Sequence, residues 1–196
     1  MRALIKTILI AVCIPIGSAV AAQELSSAEL AGFFASPDMP DADRGYKDFE
    51  SAVPETSRTA ALVKILETSN NSQSGRTIQA QVIYYIQIRK IAWIESPLLS
   101  ALVMERMRSG IIPRLAVFNL IVATCTGETK KALVLTFLAD SEDDLRSRAI
   151  TEINGFNGGD TILKSYINEH ESDKEYKTSV DQAKRWLKYR ENQKGK

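Results

Sequence analysis

From Thr56 onward the chain alternates apolar stretches at helical spacing with short polar turns. Leu62, Ile65 and Leu66 fall on one face of residues 57–68, since positions three and four apart meet on an α-helix. A serine-rich loop over 69–75 leads into a long run, 76–93. The pattern repeats as 96–107 with 113–125, 129–139 with 145–154, and 160–169 with 176–189. Pro97 and Pro113 stand where a first helical turn needs no amide hydrogen, and Gly155 to Gly159 separates the third pair from the fourth. Within 76–93, Val82 to Ile88 is rich in β-branched and aromatic residues and reads locally as a strand. The whole run is too long for a typical strand, so a buried helix is expected there. These elements predict an all-α chain, a short α-solenoid of about four helical hairpins over residues 57–190.

The faces of the helices vary along the chain as stacking requires. Leu133, Val134, Leu135, Phe137 and Leu138 leave little polar surface, and only Asn119 interrupts 115–123 strongly. Such helices must be covered on several sides. Tyr176, Val180, Ala183 and Leu187 instead form one stripe opposite Asp181, Lys184 and Lys188. That pattern suits the last helix of a stack, with a polar outer face. The second-helix starts Arg76, Arg114, Arg146 and Tyr176 are 38, 32 and 30 residues apart. Irregular spacing in the thirties fits a degenerate hairpin array.

Residues 140–155 carry a more specific pattern: Asp140-Ser141-Glu142-Asp143-Asp144, then Leu145-Arg146-Ser147-Arg148-Ala149-Ile150, then Ile153-Asn154-Gly155. This turn and helix resemble the bacterial HEAT-like repeats of the phycobilisome-lyase type, with Asp140, Asp144, Arg146 and Ala149 at the positions that mark the repeat. The resemblance implies that a turn aspartate and a second-helix arginine bond across neighbouring repeats. The second hairpin keeps Arg114 but has Gly110-Ile111-Ile112 where acids are expected, and the fourth has Tyr176 at the arginine position. What is implied is therefore a scaffold, with no lyase activity carried over.

The ends of the chain differ from its middle. Arg2 and Lys6 precede an apolar run over 7–16, a Gly17-Ser18 break, and Ala19-Val20-Ala21-Ala22. A positive start, a short apolar run and a small-residue end predict a secretory signal peptide over 1–22, cleaved after Ala21 or Ala22. About ten apolar residues fall short of the roughly twenty that span a bilayer, so no transmembrane anchor is expected. Ile10-Ala11-Val12 before Cys13 lacks the small residue that lipoprotein processing needs. The expected location is periplasmic or secreted. Residues 23–56 follow as an acidic segment in which eight acids face only Arg44 and Lys47. A short helix carrying Leu30, Phe33 and Phe34, a loop broken by Pro37 and Pro40, and a second helix over 43–53 are expected in it.

Charge and composition narrow the chemistry further. Without residues 1–22 the chain holds 23 basic and 24 acidic residues, so no global field attracts nucleic acid. Cys125 becomes the only cysteine, which rules out an intrachain disulfide and reads as a buried, inert thiol. His170 is the only histidine; it lacks the partners of a triad or a histidine metal cluster and suits a helix end. The acids at 140–144 lack the glycine and distal glutamate of a calcium loop; Asp143 or Asp144 is expected to cap the next helix. No metal or cofactor is expected.

The carboxylates Glu105, Asp140 and Glu152 are candidates for a hydrolase, although no pair is marked out by spacing. After Gln182 six cations face only Glu191, ending in a basic tail at 191–196. Trp186 and Tyr189 lie off the apolar stripe and are expected to be exposed beside them. Arg185, Trp186, Lys188, Tyr189 and Arg190 are thus the candidate docking surface, which the acidic 23–56 segment could also cover. The functional expectation is an exported protein-binding or scaffold module whose partner is another protein. The alternatives are a carboxylate-dependent hydrolase and a self-associating structural subunit.

Overall fold

A computed structural model of the chain describes the backbone of residues 25–194 and side chains through Gln193. The expected signal peptide and the last two residues of the basic tail lie outside the described residues. What is described is all-α, with ten α-helices, three 3₁₀ turns and no strand. The helices are α1 Ser27–Gly32, α2 Met39–Ala52, α3 Glu55–Thr68, α4 Gln73–Ile88 and α5 Pro97–Arg108. They continue as α6 Arg114–Thr124, α7 Gly127–Leu135, α8 Asp143–Asn154, α9 Gly159–His170 and α10 Lys177–Lys194.

Helix starts follow local chemistry. Ser26 and Glu29 form a reciprocal capping box on α1, with the Ser26 amide donating to Glu29 Oε2 at 2.8 Å. Ser72 and Ser96 accept amide hydrogens at the starts of α4 and α5. One expected boundary moves: the second helix of the acidic segment begins at Met39, four residues before the expected start. Pro40 interrupts nothing there, because it occupies the first turn.

The run containing Val82 to Ile88 is helical, as its length required, but the helix stops at Ile88. Lys90 lies in the left-handed region at φ 50°. The Ile91 amide then bonds back to Ile86 O at 3.0 Å and the Lys90 amide to Gln87 O at 3.3 Å, a Schellman termination with lysine where glycine is usual.

The four expected hairpins are α3/α4, α5/α6, α7/α8 and α9/α10. First helices α1, α3 and α5 pack in succession, as do second helices α4, α6, α8 and α10. The acidic segment adds a fifth, shorter pair, with α1 against α3 and α2 joined to α4 through aromatic rings. A Cβ on Gly45 would stand 2.1 Å from Phe33 O, so glycine permits this close approach of α2 to the end of α1. The acidic segment therefore covers the first hairpin, and among the described residues none of its acids pairs with a cation of α10. A continuous core runs from Leu30 to Ala183. At the far end α10 continues through Lys194 without a break at the expected start of the tail.

Candidate functional site

Among the described residues, the turn between α7 and α8 holds the most elaborate polar arrangement. Arg146, on the first turns of α8, is 1% exposed. Its Nη1 donates to Asp140 O at 2.7 Å and Ser141 O at 3.1 Å. Its Nη2 donates to Asp143 Oδ1 at 3.0 Å and to Glu175 O, in the next hairpin's turn, at 2.6 Å. The guanidinium also lies 4.4 Å from the Tyr176 ring centre. A planar fork with five donors is suited to such simultaneous carbonyl contacts. One step earlier in the stack, Arg114 Nη1 stands 3.3 Å from Asp140 Oδ1 while its Nη2 donates to Glu142 Oε1 at 2.6 Å. Each arginine thus ties its own hairpin to the turn of the one that follows.

The other residues of this pattern take different places. Asp140 is nearly buried at its side chain and accepts the Glu142 amide at 2.8 Å. Ala149 is fully buried, where a larger side chain would meet the core. The expected cap is corrected: the capping position is Glu142, and no side chain bonds there. Asp143 is held by Arg146, and Asp144 points outward to Arg148 Nε at 2.8 Å. Both acids remain in the first turn, where the helix dipole favours them.

On α10 the candidate docking residues separate. Trp186 is half-buried and packs against the core, contrary to the expected exposure, because the core extends around the stripe as far as Leu187. Arg190 pairs with Asp160, and Lys184 pairs with Glu171 at 2.7 Å. The lysine holds the Glu171 carboxyl below its ordinary pKa. Arg185, Lys188 and Tyr189 remain exposed, and the two cations enter no ion pair among the described residues. Tyr189 is 54% exposed and meets Trp186 edge to face at 6.0 Å.

A second feature was not visible in sequence. The carboxyl ends of α2 and α4 and the amino end of α3 enclose a cleft of about 540 Å³ lined by Glu50, Glu55, Arg58, Tyr85, Arg89 and Lys90. Glu50 accepts from Arg89 Nε at 2.5 Å. Arg58 donates to Glu50 O at 2.9 Å and Val53 O at 3.2 Å, satisfying free carbonyls at the end of α2. Burial, reinforced by Glu50, pushes the Tyr85 hydroxyl up to about 12, so it remains a neutral donor. The nearest sequence signal was the Arg89-Lys90 pair ending an apolar helix.

The remaining reactive groups are occupied locally. His170, the last residue of α9, stacks on Tyr176 at 4.0 Å with an interplanar angle of 7°. Burial pushes the Cys125 thiol above its ordinary pKa, as in an unreactive cysteine. Glu152 pairs with Lys130 at 2.8 Å, Asp140 with Arg114, and Glu105 lies exposed on α5. None of these three lines the 540 Å³ cleft. Among the described residues no three acid, histidine or cysteine side chains converge to hold a metal, and no helix is long and apolar enough to cross a membrane.

These features define an all-α protein of successive helical hairpins joined by turn-to-turn arginine bonds. Comparison with models of known protein families, with curated proteins and with solved structures finds no match.

Proposed function

We propose that this is an exported HEAT-like α-solenoid that acts as a protein-binding scaffold in the cell envelope. The observation that carries the reading is the outer face of α10. There Tyr189 stands exposed beside Arg185 and Lys188, while Lys184 and Arg190 on the same helix are committed to Glu171 and Asp160. An exposed aromatic ring flanked by unpaired cations is the composition of a protein-binding hot spot. The arginine bonds between turns support the scaffold part, because they tie each hairpin to the next, Arg146 from a buried position and Arg114 from a partly exposed one. Export follows from residues 1–22 as a sequence.

Two measurements test the proposal. The processed protein should begin at Ala22 or Gln23 by amino-terminal sequencing; retention of Met1 removes export. Chemical cross-linking in intact cells should trap a defined protein partner at α10. Arg185→Glu with Lys188→Glu, and separately Tyr189→Ala, should each abolish that product without lowering thermal stability. Persistence of the same product with both variants removes α10 as the docking face.

A further inference from the structure

The 540 Å³ cleft has a smaller neighbour of about 200 Å³, lined by Trp93, Ile94, Glu95, Thr124, Cys125 and Thr126, and Ala92 lines both. The two lie along the loops that join one hairpin to the next, α2–α3, α4–α5 and α6–α7. We propose that together they form one groove that binds an extended peptide, with a carboxylate seated among Arg58, Arg89 and Lys90 and the preceding uncharged residues running past Ala92. The site is separate from the α10 face and does not depend on it.

Three observations carry the carboxylate end. Three cations and two acids line the larger cleft; Arg89 bonds Glu50 and Arg58 bonds two carbonyls at the end of α2, each through Nε and Nη2, which leaves Nη1 of each arginine to reach a ligand. Lys90 is exposed and enters no ion pair among the described residues, so its ammonium is available. The amino end of α3 opens onto the same cleft, where Glu55, Arg58 and Thr59 line it, and no side chain caps that helix. Its positive dipole end adds to the field of the cations, although the Ser57 amide already bonds Pro54 O and the Glu55 carboxylate shares that first turn.

The backbone at Lys90 points the same way. At φ 50° it is the only non-glycine residue among those described with positive φ, a conformation that glycine adopts without strain. That φ belongs to the Schellman termination of α4, which sets the lysine, at some cost to folding, on the cleft wall.

The smaller cleft explains why the ligand is a chain rather than a free anion. Its walls carry no cation; the Thr124 hydroxyl is engaged there by Leu120 O and the Trp93 indole, which leaves the exposed Thr126 and Thr129, with Ile94 and Glu95, to meet a ligand. That lining suits small uncharged side chains and a peptide backbone, which hydroxyls can recognise by hydrogen bonding. A carboxylate on such a ligand has two sources, the chain terminus or an acidic side chain.

The test is a titration of the processed, isotopically labelled protein followed by NMR, with three penta-alanine probes. One has a free carboxyl terminus, one a terminal amide, and one a terminal amide after a final glutamate. The free-acid or glutamate probe should shift the amides of Arg89 to Ile94 and Thr124 to Thr126 in a saturable way, and the stronger of the two identifies the source. The neutral amide probe should bind at least about tenfold more weakly.

Lys90→Gly separates binding from folding. It should raise the melting temperature by relaxing the left-handed backbone and still weaken binding several-fold. Arg185→Glu with Lys188→Glu should leave the affinity unchanged. Equal binding of the neutral probe, unchanged affinity of Lys90→Gly, loss of affinity in the α10 variant, or shifts outside both clefts would each overturn the proposal.

Discussion

The two ends of the stack are joined to the middle by opposite means. At the amino end, α2 and the turn before it meet α4 through a cluster of rings: Phe34, Tyr46 and Phe49 each lie within 5.6 Å of the Tyr85 ring centre. The rings meet at steep or tilted angles, the geometries that aromatic quadrupoles favour. At the carboxyl end, α8 is tied to the next hairpin by Arg146, whose buried guanidinium binds carbonyls on both sides of the junction. Apolar rings tolerate imprecise placement, whereas a buried guanidinium depends on the placement of its partners; here Nη1 and Nη2 are bonded and Nε is buried without one. The carboxyl end should therefore be the more brittle of the two.

The largest expected effect tests that difference. Arg146→Ala removes the shared donor of the Asp140, Ser141 and Glu175 carbonyls at a part-buried junction, together with a large buried side chain, and should cost about 3–5 kcal/mol in urea unfolding. Arg146→Lys should recover less than half, since an ammonium cannot reproduce the fork. Phe49→Ala removes a fully buried ring and should cost about 3–4 kcal/mol, with Phe49→Leu recovering most of it because the neighbouring rings can close in. If the lysine rescues Arg146 as well as leucine rescues Phe49, the contrast fails.

A second prediction concerns alkaline pH and only the aromatic end. Burial pushes the hydroxyls of both Tyr46 and Tyr85 up to about 12 from an ordinary 10.0. The folded state therefore holds these protons between pH 10 and 12 while the unfolded chain has lost them. Their contribution is complete below pH 10 and falls as pH rises toward 12, by on the order of 2 kcal/mol for one tyrosine. Tyr46→Phe should flatten the stability profile in that range relative to the native chain. The Tyr46 hydroxyl donates to Gln81, so this variant starts from a lower plateau. A profile equally steep in the variant would remove the assignment.

What could be read from sequence divides along the same line. The hairpins were legible because apolar spacing and turn residues are local signals, and they placed the starts of α3 to α10 within three residues, while the ends of α4 and α10 each lie five residues from expectation. The ring cluster was not, because Phe34, Phe49 and Tyr85 are far apart in the chain and nothing in the spacing says that they meet. Pro40 read as a breaker, although its place in a first turn makes it harmless. The importance of Arg146 was visible, but its partner was not: it is a backbone carbonyl at Glu175, which no side-chain pattern encodes. The cleft was hidden for the same reason, since Arg58 comes from α3 and Arg89 and Lys90 from the turn after α4, and a lysine at φ 50° carries no glycine signal.

The smallest effects lie within the acidic turn itself, where two aspartates of one sequence pattern part company. Asp140 has a side chain only 8% exposed, faces Arg114 at 3.3 Å and also accepts the Glu142 amide. Asp144, 68% exposed, meets only Arg148 one turn along its own helix. Solvent screens the second pair, and both its side chains lose freedom to form it, so Asp144→Ala should change stability by no more than about 0.5 kcal/mol. Asp140→Ala removes both an amide partner and the bridge to the preceding hairpin, and should cost about 1–2 kcal/mol. Coupling decides between a local and an inter-hairpin role: with Arg114→Ala, Asp140→Ala should lose about 0.5 kcal/mol of its effect, while Asp144→Ala should be additive. Additivity at Asp140 would mean that its bond to Glu142 alone matters and that the arginine contact across the hairpins contributes nothing to the stack.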